Sequence, residues 1–438
     1  MTDWIRFSCP HLEESYCECR HPVGLRILVS PKDFSATYAI VGIGYGSRDR
    51  FAGGALPMGC AHFLEHKMFE RTGGESWEDV FSALGAEVNA YTSDDCTAYM
   101  FSATEHIPEA LEALLSMVKD MSVTSASVSR ERHIIAEEIR MNADDPWEVC
   151  YANMLRGLYA PVKKGGNPVR EEICGTEASI RRITPSVLKE AHERFYRPEN
   201  MVLAVSGNIT PDEVMAAVDR VWGTYKAVPV ARTPSRRIPR DPVVAYKPRI
   251  SCRMETAKPL FSIGIKLPET PTDPRELVYL ERLMTVLGEM LFSRSGDFYG
   301  SLFESGLVSP GMAYGSSLGR PALDGTAEGY GYFYLSGECD DPEQVYDAFL
   351  FYVASLREDG LDPRGFERAC RTLYADYVYG FDSTEGIASS LMTTALDGVG
   401  LYDLGALDER LTLDDVRSLF EKVFRDSQYT LSTVLPME

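Results

Sequence analysis

Two histidines and a glutamate fall within five residues in HFLEH, His62 to His66, inside the stretch CAHFLEHKMF. An α-helix advances about 100° per residue, so His62 and His66 lie within about 40° of each other, one turn apart, with Glu65 beside them. Two imidazoles at that spacing can share one Zn2+, and the neighbouring carboxylate can take a proton from a water on the metal. The bland alternative is a pair of hydrogen-bonded core histidines beside a solvent carboxylate. Cys60 would sit about 160° from His62 on such a helix and point elsewhere.

A hydrolytic zinc site takes a third protein ligand and leaves a fourth position open. The segment from Ser127 to about Asp144 reads as a long helix that offers one. On its wheel Val128, Ile135, Ile139 and Met141 define an apolar face, with Glu131 and Glu138 inside that face and Glu137 at its edge. A buried carboxylate is costly unless it is paired, protonated or bound to metal. Glu138 is therefore the candidate third ligand, and Glu131, two turns earlier on the same face, a supporting group. In the competing reading both pair with arginines such as Arg132 or Arg140.

Several elements must position these groups. GLRILVSP and TYAIVGIGYGS read as strands, and AEVNAYTSDDCTAYMFSAT as two strands around a polar turn. Helices are expected over HIPEALEALLSMVKDM, DPWEVCYANMLRGLY and, opened by Thr184 and Pro185, ITPSVLKEAHERF. Residues 226–250, rich in proline and basic side chains, read as a linker between an N-terminal domain, 1–225, and a C-terminal one, 251–438. The ending LTLDDVRSLFEKVFRDSQYTLSTVLP lies over ITPSVLKEAHERFYRPENMVLAVSG without a gap, Thr184 meeting Thr412, which points to a duplicated half. All 7 histidines precede residue 193, so a histidine-bound metal belongs to the first half alone.

A formal net charge of −21 argues against nucleic acid as a partner, since phosphates need a cationic surface. A cationic peptide is a more comfortable partner, although acidity also serves solubility. No window has the roughly 18 apolar residues of a membrane span, and the first residues carry no signal-peptide pattern, so a cytoplasmic location is expected. The 10 cysteines are scattered and expected to be reduced. Cys9, His11, Cys17 and Cys19 are competent ligands, but Cys17 and Cys19 alternate along a strand and form no knuckle.

HFLEH, NAYTSDDCTAY and ERHIIAEE together resemble the pitrilysin/insulinase family of inverted-zincin (HxxEH) metallopeptidases, which includes the mitochondrial processing peptidases. EHKMFE and NPVREEICGTEASIRRIT are most similar to its bacterial YmfH-like branch. The resemblance implies an α+β fold, with two homologous α/β sandwich domains, antiparallel-rich sheets flanked by helices, forming half of a peptidase clamshell. It implies Zn2+ held by His62, His66 and Glu138, with Glu65 as catalytic base and Glu131 as auxiliary catalytic glutamate. Asn89, Ala90, Tyr91 and Thr92 match the edge strand along which a substrate peptide pairs. Family members that act in this way grip substrate with an arginine and a tyrosine seven residues apart. In SLFESGLVSPGMAYG Tyr314 is present, but Leu307 stands seven before it. The expectation is a zinc metalloendopeptidase that hydrolyses peptides or unfolded segments in an enclosed chamber. Its missing pair would come from a paralogous zinc-less subunit, or the chain would work as a homodimer. The alternative is a non-cleaving peptide-binding or assembly subunit with the same fold.

Overall fold

A computed structural model describes residues 4–51, 55–71, 73, 75–226, 241–321 and 328–437. Its strands are β1 (Ile5–Cys9), β2 (Glu14–Arg20), β3 (Arg26–Pro31), β4 (Thr37–Ile43), β5 (Glu87–Thr92), β6 (Thr97–Ala103) and β7 (Met201–Gly207). In the second half come β8 (Arg249–Met254), β9 (Leu260–Lys266), β10 (Ala313–Gly319), β11 (Tyr330–Glu338) and β12 (Tyr429–Pro436). The first seven form one sheet in the order β1-β2-β3-β7-β4-β6-β5, and the last five a second in the order β10-β11-β9-β12-β8.

Without the β1–β2 extension the two sheets share one topology. The chain-order first and fifth strands pair in parallel, β3 with β7 and β8 with β12, and every other pairing is antiparallel. The duplication seen in sequence is thus real in the fold. Thr184 and Thr412 both cap helices that lead into the fifth strand, accepting from Val187 N at 3.3 Å and Asp415 N at 3.1 Å.

Contacts divide the chain into two units that are not continuous in sequence. One contains Met1–Glu138, Ile173–Arg236 and Tyr377–Asp403, and the other Ile139–Glu172, Arg237–Asp376 and Leu404–Glu438. Each sheet therefore receives a helix from the other sequence half: Thr384–Leu396 packs on β3, β4 and β7, and Pro146–Leu158 on β8, β9 and β12. A glycine on the second strand admits each helix. A Cβ on Gly42 would lie 2.2 Å from Met392 Sδ, and one on Gly264 2.4 Å from Met154 Sδ.

Burial follows pattern. β7 is buried along its whole length and sits centrally, whereas β5 alternates between exposed and half-buried residues and forms one edge. On the face opposite the exchanged helix, Ile107–Lys119 and Pro211–Trp222 pack together over the first sheet. The N-terminal edge strand β1 and the strand β8 were not legible in the sequence, both being short and largely exposed. Residues 227–240, most of the expected linker, lie outside the described residues. Beyond them Asp241 pairs with the buried Lys266 and accepts the N–H groups of Ala160 and Asn167, each at 3.2 Å. Among the described residues no helix is long and apolar enough to cross a membrane.

A candidate metal centre beside an edge strand

HFLEH folds as the middle of the helix Cys60–Met68. Gly59 starts it in the left-handed region at φ 84°, where a Cβ would lie 2.5 Å from the carbonyl oxygen of Cys174, so glycine suits the position. Phe63, Leu64 and Met68 anchor the helix in the core, and the two histidines share its half-exposed face. Their rings lie 4.6 Å apart, centroid to centroid, and edge-on.

The second helix, Ser125–Asp144, brings the carboxylates. Glu138 Oε1 is 3.3 Å from His62 Nε2, and its Oε2 is 3.8 Å from His66 Nε2. One donor atom from each of His62, His66 and Glu138 falls within a 4.8 Å cluster, the only such group of three or more among the described residues. Two ligands spaced tetrahedrally around one Zn2+ at about 2.0–2.2 Å are themselves about 3.4 Å apart, so the set fits that ion. Cys9 Sγ lies 3.5 Å from His11 Nδ1, but the N-terminal cysteines form no cluster of this kind.

Glu131 turns to the back of the site. Its Oε1 lies 3.1 Å from His66 Nδ1 and its Oε2 3.3 Å from Lys67 Nζ. With Nδ1–H donating to Glu131, His66 presents the lone pair of Nε2 toward Glu138. Lys67 is wholly buried and also meets Glu70 Oε1 at 2.6 Å. Burial alone would lower the His66 pKa, but the hydrogen bond to Glu131 and the charges of Glu65, Glu131 and Glu138 raise it. The hydrogen bond from His62 and the positive ends of both imidazoles hold the Glu138 carboxyl below its ordinary value.

The competing arginine pairing does not describe Arg132, which donates to the carbonyls of Ile180 and Ile183 at 3.2 and 2.8 Å. The expected apolar face needs a correction: Met141 is 69% exposed, and the packed side is made of Ser127, Val128, Ile135 and Ala136. Only four of the helix's 20 residues are buried, so a full apolar stripe is not required. Sequence reasoning also missed Lys67, although a lysine one residue after His66 and three before Glu70 was there to be seen.

Asn89, Ala90, Tyr91 and Thr92 all lie in β5, whose sole strand partner among the described residues is β6. Among the described residues no strand pairs with its outer edge, and the N–H of Ala90 is taken up by Asn89 Oδ1 at 2.8 Å. The β5–β6 turn is strapped by the preceding loop: Ser47 N donates to Ser93 O at 3.0 Å, Arg48 N to Asp94 O at 3.1 Å, and the buried Arg48 guanidinium reaches Asp95 at 2.5 Å. At the strand's end Thr92 Oγ1 donates to Glu65 Oε2 at 2.6 Å, and Glu65 is 8% exposed. In the other unit the Tyr314 hydroxyl, on β10, donates to Glu289, while Leu307 packs against the core.

Residues 30–166 match the model of insulinase (peptidase family M16), and residues 182–373 that of the peptidase M16 inactive domain. The uncharacterized zinc protease YmfH of Bacillus subtilis is 30% identical over 436 residues, covering 97% of both chains. A mitochondrial-processing peptidase subunit beta of Schizosaccharomyces pombe is 30% identical over 208 residues, 46% of this chain and 43% of that one. The crystal structure of an M16-like peptidase from Alicyclobacillus acidocaldarius superposes with a TM-score of 0.89 at 29% identity, covering 98% of this chain and all of that one, 100%.

Proposed function

Because the chain belongs to the insulinase (M16) peptidase family, we propose that it is a zinc metalloendopeptidase acting on peptides or unfolded segments. The observation that carries this reading is the convergence of His62, His66 and Glu138 within 4.8 Å beside a buried glutamate and an open strand edge. Bound zinc would acidify a water and polarise the scissile carbonyl. His62, His66 and Glu138 would hold it, and Glu131 would fix the His66 tautomer from behind. Glu65 takes the proton from the attacking water and delivers it to the leaving amine. The open edge of β5 pairs with the substrate backbone, with Asn89 Oδ1 giving up the Ala90 N–H to the incoming strand.

A second subunit supplies the substrate-gripping pair in an enclosed chamber. Leu307 stands where an arginine is needed, and the Tyr314 hydroxyl is already engaged by Glu289. The same observation favours one rival, a peptide-binding or assembly subunit that does not cleave. Hydrolysis of a quenched fluorescent peptide library by the zinc-loaded chain separates the two, with Glu65→Gln as control. Cleavage that disappears in the control supports the peptidase. A zinc-loaded chain that stays silent alone and with a copurified partner supports the rival.

A further inference from the structure

The geometry points to a task for Thr92 that strand pairing does not demand: we propose that its hydroxyl is a positioning group for Glu65, locking the base to the strand that receives substrate. This rests on the peptidase reading above. Thr92 is the last residue of β5 and sits opposite Thr97 in the register with β6. Thr97 is buried and spends its hydroxyl on the carbonyl of Tyr45 at 2.8 Å. The Thr92 hydroxyl instead runs 2.6 Å to Oε2 of Glu65. Among the described residues this is the only hydrogen bond to the Glu65 side chain.

A short hydrogen bond to a nearly buried carboxylate is of the strong, charge-assisted kind. It fixes one oxygen of Glu65 and the rotation of the carboxylate plane, which leaves Oε1 as the proton-accepting atom. It also joins two parts that otherwise come from separate elements, the helix that carries the base and the strand that aligns the peptide. A peptide paired with β5 is thereby placed in register with the atom that takes the proton. General-base efficiency depends on such alignment, and a misplacement of about 1 Å can cost about a hundredfold in rate.

Thr92→Val keeps the β-branched shape and the strand pairing while removing the donor. The expected result is a kcat lower by roughly ten- to a hundredfold, the effect of losing one hydrogen bond to a charged group. KM and zinc stoichiometry stay at the parental values, and Thr92→Ser recovers most of the rate. An unchanged kcat, a defect confined to KM, or a serine variant as slow as the valine variant each overturns the proposal.

A second arm needs no activity. Urea midpoints of the metal-free chain are measured for Thr92→Val, Glu65→Ala and the double variant. A non-additive shift is expected, because either single change already breaks the bond; additive shifts overturn it. If the parent cleaves no peptide, the peptidase reading fails, whereas this cycle still decides whether Thr92 holds Glu65.

Discussion

At the scale of single residues, the candidate site separates groups that converge on one point from groups that hold them. His62, His66 and Glu138 converge, whereas Glu131 and Lys67 stand behind His66. The ligand assignment predicts that His66→Ala loses stoichiometric zinc; elemental analysis showing full occupancy would reject it. Glu131→Gln keeps a hydrogen-bonding shape but drops the charge that makes His66 a better donor, so zinc affinity falls roughly 10- to 100-fold. Competition with a chelator reads this, and parental affinity would remove Glu131 from the support of His66. A different histidine adds to the acid limb of stability. His192 is half-buried, and its loss of solvent lowers its pKa against the opposing hydrogen bond to the Val118 carbonyl at 3.2 Å. A histidine whose folded pKa is depressed contributes its full stability above the unfolded value, about 6.5, and loses it as pH falls below that. In His192→Gln the melting temperature should therefore decline less steeply between pH 7 and 5 than in the parent. Equal slopes would mean that His192 does not carry the linkage.

At the scale of elements, the hairpin β5–β6 is the part whose placement matters most, because β5 carries Thr92 at one end and an unpaired edge along its length. Its turn is held against the loop 46–48, and the approach is close: a Cβ on Gly46 would lie 2.2 Å from the carbonyl oxygen of Asp94. That neighbour is backbone and cannot rotate away. Gly46→Ala should cost about 1–3 kcal/mol in urea unfolding. It should also lower peptide cleavage by more than the loss of folded protein explains, since displacing the turn displaces the strand. A variant as stable as the parent would show that the loop yields without strain.

At the scale of the whole molecule, each sheet takes one of its covering helices from the other sequence half. One face of β3, β4 and β7 depends on a helix from the far end of the chain, Thr384–Leu396, received at Gly42. Leaving that apolar face uncovered removes much of the driving force for folding. Residues 1–226 expressed alone should bind a hydrophobic dye and melt without a cooperative transition, and fusion to residues 377–403 should restore cooperativity. A sharp transition in the short fragment would show that the exchanged helix is dispensable.

By itself the sequence determined the features that obey a local period. Helical geometry placed His62, His66 and Glu65 together, the same argument singled out Glu138 and Glu131, and the Thr184 to Thr412 correspondence disclosed the repeat. It also identified the hairpin strand from Asn89 to Thr92, because alternation and a polar turn are short-range signals. The tertiary structure alone decided which atom meets which. Glu131 faces His66 and Lys67 rather than arginine, Thr92 reaches Glu65 across 27 positions of chain, and each sheet borrows a helix from the other half. These contacts join segments whose separation carries no periodic signature. They are selected by packing, where a glycine opens room for a helix or a hydroxyl lies within reach of a carboxylate.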